Sequence, residues 1–79
     1  MSNKEKYDQV FVESLEVEES QLLGLKYQDV PNWDSVGHMG LINEIEEAFD
    51  IQMETDDIIN FNSYAKGMEI LVKYGISFE

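Results

Sequence analysis

The sequence of 79 residues contains no cysteine and a single histidine. Disulfides and thiolate metal sites are therefore excluded, and one imidazole cannot supply the ligands of a zinc site. The apolar runs are only a few residues long, too short for a transmembrane helix, and the first residues lack the basic-then-apolar pattern of a secretory signal. These absences predict a small cytoplasmic domain with no metal ion and no membrane insertion.

Positively charged residues are also scarce. The chain has 5 Lys and Arg and 17 Asp and Glu, which gives a net charge of −12 at pH 7. Such a field repels nucleic acid and anionic membrane surfaces. It attracts proteins with basic patches, although the same charge also serves simply to keep a small protein soluble and monomeric. We therefore expect a monomer that has no nucleic-acid partner.

Apolar residues at three- and four-residue spacing predict two long helices. The first covers residues 3–17, with Ser2 or Asn3 as its N-cap. The second covers residues 35–50, with Asp34 as its N-cap, because a carboxylate can accept hydrogen bonds from the free N–H groups of the first turn. The residues predicted for the apolar face of this second helix are Val36, Met39, Leu41, Ile42, Ile45, Ala48 and Phe49.

The rest of the chain predicts a long loop after the first helix and two further helices. Residues 18–33 form the loop, with a short helical turn near Glu19. Thr55, which two aspartates follow, predicts the cap of a short third helix. Ser63 predicts the cap of a fourth helix, which Gly75 ends. The predicted fold is all-α, a small, irregular, antiparallel four-helix bundle, whose loop is anchored to the core by Leu22, Leu23 and Leu25.

Ser35 is the candidate site residue. It falls at the first position of the second helix, so its hydroxyl lies beside the positive end of the helix dipole. A phosphate attached there is favoured by that dipole and by the free backbone N–H groups of the first turn. An Asp-Ser pair at a helix start is common, however, so these two residues alone do not define a function.

The segment around this serine is Trp33-Asp34-Ser35-Val36-Gly37-His38-Met39, and the same helix ends in Glu46-Glu47-Ala48-Phe49-Asp50. Together with the length, the acidity and the order of the helices, this segment resembles the acyl carrier proteins. In that family the serine of an Asp-Ser-Leu motif carries a 4′-phosphopantetheine arm. The resemblance therefore implies one acyl-carrier domain over residues 1–79, an acyl-carrier-like bundle, and an arm derived from coenzyme A on Ser35, with Asp34 as motif residue and helix cap.

The implied function is that of a free-standing carrier and not of an enzyme. A thioester needs a thiol, and a chain without cysteine obtains one from the arm. The implied partners are a phosphopantetheinyl transferase (holo-acyl-carrier-protein synthase), acyl- or aminoacyl-loading enzymes, and acyltransferases. The cargo is an acyl group of fatty acid synthesis or of a specialised acyl, polyketide or surface-glycan pathway, and an aminoacyl cargo of the peptidyl or D-alanyl type is the alternative.

The resemblance also implies a docking surface of acidic and apolar residues that meets basic patches on partner enzymes. Gly37 and Gly40 stand where the family commonly has acids, so the surface near the serine is less charged than usual, and both glycines weaken the helix. The implied docking residues are Val36, Met39, Glu44, Glu46, Glu47, Asp50, Asp56 and Asp57. The residues that either line an acyl channel or form ordinary core are Met39, Ile42, Ile45, Ile59, Phe61 and Met68.

Two readings from other classes remain open. The first is an unmodified acidic helical binding module that docks through its second helix. The second is an enzyme in which His38, three residues after Ser35 and thus a neighbour on the helix, activates the hydroxyl as a Ser–His dyad. Nothing in the sequence suggests an oxyanion hole for such an enzyme.

Overall fold

A computed structural model describes residues 2–78, and its framework is four α-helices. A short 3-10 turn, Glu19–Gln21, interrupts the long loop between the first two helices, and within residues 2–78 there is no strand, only an isolated bridge between Lys26 and Ser63. The all-α class, the short third helix and the loop after the first helix are confirmed. The helices are α1 (Asn3–Leu15), α2 (Ser35–Phe49), α3 (Thr55–Asn60) and α4 (Tyr64–Val72).

The first helix begins with reciprocal hydrogen bonds. The hydroxyl of Ser2 accepts the N–H of Glu5 at 3.1 Å, and the Glu5 carboxylate accepts the N–H of Ser2 at 3.0 Å, which forms a capping box. These bonds to Ser2 lower the pKa of the Glu5 carboxyl. Of the two predicted caps, Ser2 is therefore correct. The helix ends two residues earlier than predicted, because Glu16 takes a left-handed conformation with φ of 55°.

The third helix begins at Thr55, the residue predicted as its cap, and therefore one residue earlier than predicted. Glu54 is the N-cap, its side chain makes no capping hydrogen bond, and Thr55 is already helical. The prediction that Thr55 caps this helix is therefore wrong. The two acids after Thr55 do lie in the first turn, where the helix dipole favours negative charge.

The fourth helix begins and ends as predicted. The Ser63 hydroxyl accepts a backbone N–H in the first turn of α4. At the other end, the N–H of Ile76 donates to the Leu71 carbonyl at 3.3 Å, and the N–H of Gly75 donates to the Val72 carbonyl at 3.0 Å. This pair of bonds is the Schellman pattern, and it requires the positive φ of 86° that Gly75 adopts.

The core is built from aromatic rings. Phe11 lies at its centre, with ring centroids 4.9 Å from Tyr7, 5.5 Å from Trp33 and 5.4 Å from Tyr64. The buried hydroxyl of Tyr7 donates to the backbone carbonyl of Tyr64 at 2.7 Å, and burial raises the pKa of Tyr7. The Tyr7 hydroxyl is therefore hydrogen-bonded although it is buried. The packed rings hold α1, α4 and the loop before α2 together.

Of the apolar residues predicted for the loop anchor and for the apolar face of α2, three are on the surface, and two of these, Val36 and Met39, are also implied docking residues. Leu22 and Leu25 are buried as predicted, but Leu23 is 89% exposed, because the turn over residues 22–24 directs it outward. On α2, Val36 is 80% exposed and Met39 is 58% exposed. The buried face of that helix is formed by Leu41, Ile42 and Ile45.

The short helix α3 is held by the end of α4. The Asp57 carboxylate accepts hydrogen bonds from the Lys73 ammonium at 2.7 Å and from the Tyr74 hydroxyl at 2.5 Å. The Tyr74 oxygen in turn accepts the N–H of Glu54 at 2.9 Å. Lys73, and then Tyr74, lower the pKa of the Asp57 carboxyl. A helix of six residues is not stable alone, so this network fixes the position of α3.

We predict that Asp57→Asn lowers the melting temperature by several degrees at neutral pH, whereas Asp56→Asn, on the same turn but exposed, has little effect. Because the folded-state pKa of Asp57 lies below its unfolded value, its stabilisation is complete above pH of about 4 and is lost as the pH falls through the folded-state pKa. Thermal denaturation of both variants from pH 7 downward checks this. Equal melting temperatures at pH 7 would contradict it.

Candidate functional site

Ser35 occupies the first position of α2, as predicted, and its side chain is exposed. Asp34 is the N-cap, since its carboxylate accepts the N–H of Gly37 at 2.8 Å and its carbonyl accepts the N–H of His38 at 2.7 Å. The hydroxyl of Ser35 therefore stands at the positive end of a helix of 15 residues. An attacking or transferring group can approach it from solvent.

The chain immediately before the serine is fixed by backbone hydrogen bonds. The N–H of Trp33 donates to the Val30 carbonyl at 3.1 Å, and the Trp33 carbonyl accepts the N–H of Gln28 at 3.0 Å. The N–H of Tyr27 donates to the Asn62 carbonyl at 2.9 Å. The loop is thus attached to the segment between α3 and α4. Ser35 follows a well-anchored turn.

The backbone of the loop before α2 packs directly against Gly37, in the first turn of that helix. A Cβ atom at this position would stand 1.7 Å from the backbone carbonyl oxygen of Asn32, far inside contact distance. Gly40, one turn further along, has nothing within 4 Å of its Cβ position. The first glycine therefore permits close packing of the loop on the helix, whereas nothing in the structure requires the second.

An open, mostly apolar groove of about 370 Å³ lies beside Ser35, between α2 and α3. Of the six residues predicted for an acyl channel, Met39, Ile59 and Phe61 line this groove. Ile42 and Ile45 instead lie in the core, and Met68 lines a separate groove next to Leu23. The predicted set is therefore divided among three places.

Both ring nitrogens of His38 have partners. The Trp33 indole N–H donates to Nδ1 at 3.0 Å, and Nε2 lies 2.8 Å from the backbone carbonyl oxygen of Ile58. In this arrangement neither nitrogen is free to take a proton from Ser35. The spacing of the sequence pointed to a pair of His38 with Ser35, but the partner on α3 lies 20 residues away and no local pattern indicated it.

The predicted docking acids differ in solvent exposure and in the hydrogen bonds that their carboxylates already make. Glu44, Glu47, Asp50 and Asp56 are exposed. Glu46 accepts the N–H of Met53 at 2.8 Å, and Asp57 is held by α4 as described.

Along the described part of the chain, residues 2–78, no three His, Asp or Glu side chains are grouped so that they could hold a metal ion. None of the helices there is long and apolar enough to cross a membrane.

Comparisons with known proteins returned no relative. No protein-family model, no curated protein and no solved structure matches this chain. A functional assignment therefore depends on the geometry around Ser35 and on the resemblance of its segment to acyl carrier proteins.

The two glycines of α2 provide a matched pair of variants. We predict that Gly37→Ala lowers the free energy of unfolding by about 1–3 kcal/mol, because the loop at Asn32 must move. Gly40→Ala should raise it by about 0.5–1 kcal/mol, because alanine favours the helix and meets no neighbour. Urea denaturation of both variants measures these changes. A loss of stability in both variants would contradict the prediction that a Cβ at position 40 meets no neighbour.

Proposed function

We propose that this protein is a carrier protein that holds an acyl group as a thioester on a 4′-phosphopantetheine arm attached to Ser35. The observation that carries the proposal is the exposed Ser35 hydroxyl at the start of a capped 15-residue helix, with an apolar groove beside it. The chain positions the cargo, and the partner enzymes perform the chemistry.

The chemistry of attachment suits this helix end. A phosphopantetheinyl transferase would join the Ser35 oxygen to the phosphorus that carries the pantetheine arm in coenzyme A. The pyrophosphate bond would break, the nucleotide would leave with its own phosphate groups, and the serine proton would pass to a base of the transferase. The new phosphodiester is an anion, which the helix dipole and the N–H groups of the first turn favour. Asp34 uses one of those N–H groups, that of Gly37, and so fixes the geometry of the turn.

The groove beside Ser35 has the character that an acyl-carrying arm would need. It contains exposed apolar side chains next to Ser35, including Met39 and Ile59, which is 68% exposed. Apolar surface of this kind suits the arm or its cargo. Because Phe11 and Trp33 fill the core behind it with fully buried rings, the cargo lies on the surface. This keeps a short aminoacyl group as the second candidate cargo.

We propose that partner enzymes approach with basic patches. The exposed acids Glu44, Glu47, Asp50 and Asp56 are available for such contacts. Their field increases the rate of encounter, and this effect weakens with salt. On α2, the exposed apolar residues Val36 and Met39 lie closer along the chain to Ser35 than the acids Glu44, Glu47 and Asp50 do.

Attachment of the arm is tested by intact mass. We expect incubation with coenzyme A and a phosphopantetheinyl transferase to raise the mass by one arm. The variant Ser35→Ala should show no increase, while Ser20→Ala, which removes an exposed serine of the loop, should behave like the wild type. No increase for the wild type with several transferases would refute the proposal. Partner binding that survives Ser35→Ala without coenzyme A would favour the unmodified binding module.

Docking by acids is tested by transferase kinetics. We expect Glu47→Gln to raise the KM of the transferase for this protein by a factor of about 1.4–5, the range for an exposed charge pair of about 0.2–1 kcal/mol. Glu69→Gln, an exposed acid on α4, is the control and should leave KM unchanged. Moderate salt should also raise KM for the wild type. Equal effects of the two substitutions would remove the docking role of α2.

A further inference from the structure

We propose that His38 is a positioning residue that holds α3 against the loop before Ser35, and that it does so as a neutral imidazole with its proton on Nε2. The inference follows from two contacts of one ring, the Trp33 indole at 3.0 Å and the Ile58 carbonyl at 2.8 Å. The effect on loading of Ser35 rests on the proposed function, but the link between the two elements does not.

The partners of the ring determine where its proton lies. An indole N–H can only donate, so Nδ1 of His38 must accept and carries no proton. A backbone carbonyl of Ile58 can only accept, so Nε2 must donate. The opposite tautomer places two donors together at Trp33 and two acceptors together at Ile58. Only one of the three forms of the imidazole satisfies both contacts.

The ring joins two elements next to the serine, the loop before α2 and the helix α3. Trp33 is directly before the Asp34 cap, so its position fixes the start of α2. Ile58 belongs to α3, a helix of six residues that Asp57 and the N–H of its N-cap Glu54 bind to the end of α4. His38 is therefore a direct hydrogen-bonded link between α2 and α3, beside the groove that Ser35 lines.

Protonation of His38 would break one of the two contacts. A proton on Nδ1 turns the acceptor into a second donor opposite the indole N–H, while the bond to Ile58 remains. The titratable group that faces the ring from the loop is Tyr27, with ring centroids 5.6 Å apart. The carboxylate of the N-cap Asp34, four residues before His38, accepts the N–H of Gly37. The remaining groove residues, on α2, on α3 and after it, are uncharged.

The sequence makes the test unusually clear, because the chain has one histidine and one tryptophan. The ¹⁵N NMR signals of the imidazole and the indole N–H signal therefore each belong to one residue. At neutral pH we expect Nε2 to be protonated and Nδ1 not. On acidification the indole signal should shift together with the protonation of the ring. A proton on Nδ1 at neutral pH, or an indole signal that ignores the titration, would overturn the proposal.

Three variants test the two hydrogen bonds of His38 separately. His38→Asn keeps an acceptor near the indole, His38→Gln keeps a donor near Ile58, and His38→Phe keeps only the ring. We expect backbone amide exchange in α3 to be faster in the Phe variant, and less affected in the Gln variant. In all three variants the acid transition of the indole signal should disappear. Persistence of that transition in any of them would show that another group causes it. If the Phe variant does not fold, the wild-type titration and the other two variants still decide.

Loading provides the functional readout. At neutral pH we expect His38→Phe to lower the rate of arm transfer from coenzyme A by about threefold or more, because the start of α2 is less well positioned, and His38→Gln to recover part of it. If the wild type accepts no arm, the proposed function fails, and the NMR measurement still decides the role of His38. If the wild type accepts the arm and the variants load equally fast, the positioning role is refuted.

Discussion

The burial of Trp33 is the constraint on which both the fold and the candidate site depend. Its ring is fully buried and meets Phe11 edge-on at 5.5 Å, and a large aromatic ring contributes much of the apolar area that a chain of this size can bury. A buried indole N–H needs an acceptor, and His38 provides it. Since Ser35 follows two residues later, the ring that stabilises the core also fixes the start of α2.

The same burial accounts for the glycine that weakens the helix. To bring Trp33 into the core, the chain at Asn32 must pass against the first turn of α2, and only a residue without Cβ allows that approach at Gly37. Glycine costs about 1 kcal/mol of helix propensity relative to alanine. The packing of the loop offsets this cost at Gly37. No such contact exists at Gly40, so the two glycines have different physical roles.

The sequence predicted what local chemistry determines. The caps Ser2, Asp34 and Ser63, and the Gly75 end, were correct, because each depends on residues within one turn of the helix terminus. The cap at Thr55, predicted on the same grounds, was wrong by one residue. Apolar spacing identified the helices and the buried residues Leu41, Ile42 and Ile45 of α2. It did not show where the apolar face becomes exposed, because an apolar surface beside a groove has the same periodicity as a core face. The contact of His38 with Ile58 was not predictable, since it depends on how α3 packs. Leu23 was wrongly assigned to the core, whereas Val36 and Met39, which were also implied docking residues, are exposed.

Under the proposed function, the surface of α2 divides into two zones that act over different distances. Glu47 lies twelve residues from Ser35, which is about 18 Å along the helix, and the Debye length at physiological salt is about 8 Å. The charge of Glu47 therefore interacts only weakly with the part of a partner that contacts Ser35. The acids contribute to encounter and orientation. Discrimination next to the serine then depends on short-range contacts with Val36 and Met39, which are exposed although apolar. A partner would need a basic rim and an apolar centre spaced to match this helix.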